Sequence, residues 1–379
     1  MDTDARTAEN CSGPWIDFLF DDEESWMSGY MRFEDAMAEL EQGLPPSEDA
    51  GFLGVSIDPD DAKLVIVPVH WEATTSYGGG TAEGPDAVVS ASHQLDMEDP
   101  AFGKAYRAGI AILPEDTTIR SLNNKAREAA QRVIKACERR EELPEDLRFV
   151  NECSVKVNDS VYQSAKSWLA KGKLVAVLGG DHSSPQGLIR ALSEVTPEGF
   201  GILHFDAHHD LRDAYEGFQY SHASIFHNVM SSYKNVTKLT QVGIRDYSRD
   251  ERAYMVGLGG RGSCFYGRDI FRMKAEGRSF KSIADEIIAT LPANVYVSFD
   301  IDGLDPSYCP STGTPVPGGL SFDEAVYILE ALAASGRKLV GFDLTEVAPG
   351  ADGSEWDANV GARLLYKLCG CLLKSRRLC

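Results

Sequence analysis

Three apolar runs in this chain end in the same abrupt way. KLVAVLGGDHS (173–183) stops at Asp181 and His182, FGILHFDAHHD (200–210) at Asp206, His208 and Asp210, and VYVSFDIDGLDPS (295–307) at Asp300, Asp302 and Asp305. Runs this short and this apolar read as strands buried on both faces, the condition of a parallel sheet covered by helices. Parallel strands point their carboxyl ends one way, and open α/β sheets place their sites there. Within Leu203–Asp210 the spacing adds a second constraint. In an extended segment alternate side chains share a face, so Asp206, His208 and Asp210 should converge. Burying carboxylates and an imidazole together without a cation is costly. A polyvalent metal ion is the partner this chemistry calls for.

From Lys63 onward the chain alternates β-type and helical patterns. LVIVPV (64–69), GIAIL (109–113), LTQVGI (239–244), SCFYG (263–267) and KLVGFDL (338–344) supply further strands. Helical spacing of apolar residues marks Ser121–Glu142, Ser160–Ala170, Pro185–Leu192, Ser221–Met230, Ser279–Leu291, Ser321–Ala334 and Asn359–Leu373. Another helix follows the TSYGGG loop, with Pro85 in its first turn. About eight strands separated by helices, with no composition break after residue 60, predict one doubly wound, mainly parallel α/β domain over residues 56–379. Residues 1–55 stand apart as an acidic, aromatic-rich arm, with a helix from Phe33 to Glu41 and the LPPSEDAG linker behind it. Such an arm packs on its own body or on a neighbouring subunit.

Charge narrows the partners. The chain carries 37 Lys and Arg against 58 Asp and Glu, a net −21, which argues against nucleic acid or an anionic membrane and favours cations. No apolar run reaches the roughly 18 residues a membrane span needs. MDTDARTAENCSGPW has neither the basic start nor the apolar core of a signal peptide, so the cytoplasm is the expected location. The 8 cysteines show no Cys-x-x-Cys spacing, which excludes zinc-ribbon and thioredoxin-type readings. The TSYGGG loop lacks the Lys-Ser/Thr of a phosphate-binding loop and reads instead as a mobile segment near the site entrance.

One acid or imidazole at a strand end can be a cap. Three such ends in one sheet point to a site. His182, Asp206, His208, Asp210, Asp300 and Asp302 offer four carboxylates and two imidazoles, whose charge matches two divalent cations. A donor set without thiolate suits manganese, nickel or cobalt better than a structural zinc. Two such ions close together lower the pKa of a shared water, so the chemistry indicated is metal-assisted hydrolysis.

GGDHS, DAHHD, SFDIDGLDPS and the late DLTEVAP, in that order, resemble the signatures of the ureohydrolases, the arginase and agmatinase family, over about Lys63–Leu373. The resemblance implies a three-layer α/β/α arginase-like fold, two divalent metal ions per subunit, and hydrolysis of a guanidinium carbon. By position it implies His182, Asp206, Asp210 and Asp302 at one ion or a bridge, with His208, Asp300 and the shared carboxylates at the other. It also implies a homo-oligomer, trimer or hexamer, and leaves open a metal-loading chaperone.

Two more residues follow from chemistry together with the resemblance. A planar guanidinium wants a carboxylate that accepts two parallel hydrogen bonds, and Glu346 in DLTEV fits. The departing amine needs a proton, and His222 in YSHAS is placed to give it. The substrate is where the pattern departs from arginases. Arg212 stands where they carry an Asn that reads the substrate carboxylate, and Asp246-Tyr247-Ser248 replaces their Asp-x-Asp. The bulky Tyr215–Tyr220 loop, Tyr220 included, suggests a cramped pocket, and Trp356 a further wall. The EWDANVGARLLYKLC ending and the long arm are similar to the guanidine hydrolase branch, which implies free guanidine as substrate and nickel as metal, manganese being the alternative. A guanidino acid met by Arg212 is the next expectation, then agmatine. Two other classes stay open: the single-zinc deacetylases that share the fold, and a non-catalytic binding protein.

Overall fold

The computed structural model describes residues 29–43, 45, 46 and 50–379. Eight strands form one sheet: β1 Leu64–Val69, β2 Ile110–Ile112, β3 Leu174–Gly179, β4 Phe200–Phe205, β5 Val236–Val242, β6 Gly262–Phe265, β7 Asn294–Asp300 and β8 Lys338–Thr345. Their order is β2-β1-β3-β8-β7-β4-β5-β6, and every pairing is parallel, so the expected mainly parallel sheet is parallel throughout.

Alternation inside each run builds the three layers. In β1, Leu64 and Ile66 face one core with the helices Gly84–Ser92, Phe280–Ala289, Phe322–Ala334 and Trp356–Ser375. Val65 and Val67 face the other core, with Thr117–Glu138, Pro144–Ala170, Gln186–Val195 and Ile225–Ser232. β1, β3 and β4 are buried along their whole length. Each buried Val, Leu or Ile contributes roughly 1.5–3 kcal/mol of transfer free energy. The sheet centre is therefore a stiff platform for whatever its strand ends carry.

Several helices differ from their sequence-based bounds. Thr117–Glu138 starts earlier than Ser121 because Asp116 caps it, accepting the Thr118 N–H at 2.9 Å. Pro144–Ala170 is far longer than Ser160–Ala170. Its early buried face uses small or polar Cys153 and Ser154, which hide the apolar stripe. Arg249–Gly257 and Gly267–Ala275 have no counterpart among the sequence-based helices, and both expose most of their residues. Ser321 caps Phe322–Ala334 as expected, in a capping box with Glu324. Gly187 lets Gln186–Val195 lie directly on Pro144–Ala170: a Cβ there would sit 2.5 Å from the Asn158 carbonyl oxygen.

Most of the aromatic and acidic arm lies outside the described residues. Its helix, Phe33–Gln42, packs Ala36 against Val55, Ile57, Ala62 and Ala111 of the chain's own body. No helix among the described residues is long and apolar enough to cross a membrane.

Candidate metal centre

Four neighbouring strands, β3, β8, β7 and β4, carry the site at their carboxyl ends, although they are far apart in sequence. β3 leads to His182, β4 to Asp206, His208 and Asp210, β7 to Asp300 and Asp302, and β8 to Glu346. All seven side chains are brought together, but not by simple alternation. β4 stops at Phe205, and Asp206–Asp210 is an irregular loop. Asp210 turns back through φ 53°, a left-handed conformation that short acids tolerate. Glu346 is held at φ 62°, costly for a Glu, with its N–H donated to the Gly180 carbonyl at 2.7 Å.

Two groups of donor atoms share Asp206. On one side His182 Nδ1 lies 3.1 Å from Asp206 Oδ2, 3.0 Å from Asp210 Oδ2 and 3.3 Å from Asp300 Oδ2. On the other, His208 Nδ1 lies 3.4 Å from Asp206 Oδ1 and 3.1 Å from Asp302 Oδ2. Asp206 thus presents one oxygen to each group. The expected grouping of Asp302 with His182 and Asp300 with His208 is reversed. The reason is local: Asp300 caps the turn Ile301–Gly303 by accepting the Asp302 N–H, and that turn swings Asp302 toward His208, where Asp302 Oδ1 also accepts the Ala207 N–H at 2.9 Å.

A second partner fixes which ring nitrogen of His182 is open. Ser298 donates to Asp343 at 2.8 Å, so its oxygen accepts from His182 Nε2 at 2.9 Å. That leaves the Nδ1 lone pair facing the carboxylates, as a ligand must. Among the described residues no Lys or Arg pairs with Asp206, Asp210, Asp300 or Asp302; their ionic partners are histidines. Burial and the nearby Asp302 and Asp206 hold the Asp300 carboxyl well above its usual range. Burial and Asp206 push Asp210 up to about 7. Burial raises Asp302 as well. Asp206 is the exception: burial opposes its ionisation, but His204, His182 and His208 outweigh burial and keep it well below the usual range. Acids this crowded and this dry need cations, and the donors fit a pair of divalent ions.

His204 joins the cluster unannounced. It is fully buried, and its Nε2 lies 2.7 Å from Asp206 Oδ2. His204 is the next-to-last residue of β4, and Asp206 follows just past the strand end.

Beside the cluster, Glu346 Oε1 accepts the His182 N–H at 2.9 Å, while its Oε2 is buried without a partner. His222 Nδ1 stands 3.5 Å from Glu346 Oε1, and its Nε2 is also buried and unpartnered. Burial alone would lower the His222 pKa; Glu346, Asp181 and Asp210 outweigh burial and raise it. Thr74 steadies this residue, its hydroxyl oxygen accepting the His222 N–H at 3.2 Å.

A cleft of about 360 Å³ opens above these groups, reaching His208, Asp210, His222 and Asp300 at its floor and Arg212, Tyr215, Asp246 and Tyr247 at its walls. Arg212 is therefore at the cleft, as expected, but its charge is met by buried Glu251 at 3.6 Å and its plane lies over Tyr215 at 4.6 Å. Tyr220 is not a cleft residue; it lines a separate surface groove with Pro144, Leu147 and Asn151. Trp356 is not one either. It opens the last helix, 48% exposed, and donates its indole N–H to the Ser307 carbonyl at 2.9 Å. Being bulky and near the site in sequence does not fix where a side chain points.

Residues 62–370 match the model of the Arginase family. The chain is 32% identical over 311 residues to an N(1)-aminopropylagmatine ureohydrolase of Thermus thermophilus, covering 82% of this chain and 90% of that protein. It is 34% identical over 324 residues to the agmatinase of Chromobacterium violaceum, covering 85% of this chain and 87% of that one. Its fold is similar to that of the agmatine ureohydrolase of Thermoplasma volcanium, at TM-score 0.64 and 24% identity, over 90% of this chain and 99% of that one.

Proposed function

Because this chain belongs to the arginase family, we propose that it is a dinuclear-metal hydrolase that cleaves a guanidinium C–N bond and releases urea. One observation carries the reading: Glu346 keeps a buried, unpartnered carboxylate oxygen beside the six donors of the metal centre. Leaving such an oxygen unpaired costs about 1–3 kcal/mol or more, a cost a planar cation repays by donating into it.

His182, Asp206, Asp210 and Asp300 would hold one ion and Asp206, His208 and Asp302 the other, nickel being proposed and manganese the alternative. When bound, such a pair supplies a nucleophile at neutral pH by lowering the pKa of a shared water, and stabilises negative charge. The chain does the rest. Glu346 Oε2 takes an N–H of the guanidinium and fixes its plane, while the His182 N–H holds Oε1 in place. His222, whose acidic neighbours favour its protonated form, gives its Nε2 proton to the departing nitrogen. Guanidinium and water become urea and an ammonium or alkylammonium ion.

For the substrate we propose free guanidine. The seat formed by Glu346 and His222 reads the guanidinium alone, and Arg212, braced by Glu251 and Tyr215, puts bulk where a longer substrate would run. Tyr220 and Trp356 lend this choice no support. A second reading, an amine-tailed compound of the agmatine class, is favoured by Asp246, which lines the cleft without an ion-pair partner among the described residues, and by a cleft larger than guanidine needs. It also agrees with the names of the relatives. An oligomer, supported by the resemblance, belongs to the same proposal, as do a loading chaperone and, on the charge and composition of the sequence, a cytoplasmic location and the division at residue 55. The test is urea release by nickel- and manganese-loaded protein from guanidine, guanidinobutyrate, agmatine and arginine. Turnover of guanidine alone supports the first reading, preference for agmatine the second, and no urea from any of them rejects both.

A further inference from the structure

Two buried imidazoles approach the same oxygen, Asp206 Oδ2: His182 Nδ1 at 3.1 Å and His204 Nε2 at 2.7 Å. Either could be a ligand by distance. What differs is the atom behind each ring. Ser298 accepts from His182, which leaves that ring's lone pair toward the cluster. Behind His204 stands Gln241, fully buried in β5.

The orientation of the Gln241 amide is set by its neighbours. Its Nε2 lies 2.8 Å from the His209 carbonyl oxygen, an atom that only accepts, so this end is the donor. Its Oε1 accepts from His209 Nδ1 at 2.6 Å. The second hydrogen on Nε2 points to His204 Nδ1 at 2.8 Å, which must accept it. With Nδ1 accepting, the single ring proton of neutral His204 is on Nε2, directed at Asp206 Oδ2.

We propose that Gln241 is a positioning residue for the metal centre: by locking His204 as an Nε2–H donor, it keeps that ring from acting as a ligand and aims the bridging carboxylate of Asp206. This rests on the two-metal reading for its consequence, but the ring-proton assignment can be read without any metal. Outer partners of this kind are commonly worth 10- to 100-fold in metal affinity.

The experiment uses the full chain, labelled with 15N-histidine, and two variants. In the metal-free wild type, long-range 1H–15N correlation should show His204 protonated at Nε2 only. In Gln241→Glu, nearly isosteric, the new carboxylate accepts where the amide donated, so His204 Nδ1 should gain a proton. Gln241→Leu removes the lock without adding charge, and nickel titration should show one of the two ions bound at least about tenfold more weakly. Should Gln241→Leu not fold, Gln241→Glu carries the test alone, on the ring proton. An unchanged His204 in Gln241→Glu, or wild-type affinity for both ions in Gln241→Leu, overturns the proposal. A wild type that binds no ions sinks the metal reading while leaving the ring-proton result to stand or fall separately.

Discussion

Glu346 and His222 face each other at 3.5 Å, and each keeps one buried polar atom with no partner among the described residues. Two such atoms side by side, next to a cluster of acids, describe a seat shaped for a charged donor rather than a finished hydrogen-bond network.

Glu346→Gln keeps the shape of that seat but removes its charge. Losing a charge-assisted hydrogen bond costs about 1.5–3 kcal/mol, or roughly 10- to 100-fold in kcat/KM. Steady-state kinetics should show this loss while elemental analysis finds the metal content unchanged.

His222→Ala removes the proposed proton donor and touches none of the proposed metal ligands. Turnover should fall by about 10²–10⁴-fold, mainly in kcat. The pH profile checks the role. In the wild type activity should fall as pH rises past the raised His222 pKa, since the donor must be protonated, and this limb should be missing from the residual activity of the variant.

The metal-free chain should lose stability as pH rises. Folded Asp210 keeps its proton to about pH 7, whereas an unfolded aspartate releases it near 3.9. The folded state therefore binds the extra proton, and that stabilisation is lost as pH climbs through about 7. His182 and His208, also raised, act in the same sense above roughly pH 6.5. His204 and Asp206, shifted down, act the other way, but only below about pH 6.5. Thermal unfolding of stripped protein should show Tm falling from about pH 6.5 to 8.5. Metal-loaded protein should not show it, because metal ligands are already deprotonated.

Gly187→Ala tests the platform rather than the site. Its new Cβ would press on the Asn158 carbonyl and the Tyr162 N–H of a well-packed helix. Overpacking of this kind costs about 1–3 kcal/mol, which denaturant unfolding would register.

The fold and the strand-end acids and imidazoles that cluster were legible in the sequence because both are local signals. Apolar runs such as Leu174–Gly179 mark buried strands, and Asp or His after a run marks an open strand end. What depends on direction was not legible. Asp300 and Asp302 exchanged partners because a tight turn, not strand alternation, aims them. Tyr220 lines a separate groove, Trp356 bonds the Ser307 carbonyl, and Glu251, one acid among many in the sequence, answers Arg212. Asp343 lay hidden as a lone acid among the apolar residues of β8, and Gln241 as one of several polar residues of β5, where only the neighbouring strand reveals what they hold.

A count of bound ions tests the two-ion centre most directly. Elemental analysis of nickel-loaded wild type beside Asp206→Asn should give two ions per chain in the first and a loss at both positions in the second, because Asp206 alone presents an oxygen to each donor group. A saturated wild type holding one ion, or an Asp206→Asn protein that still holds two, would contradict it.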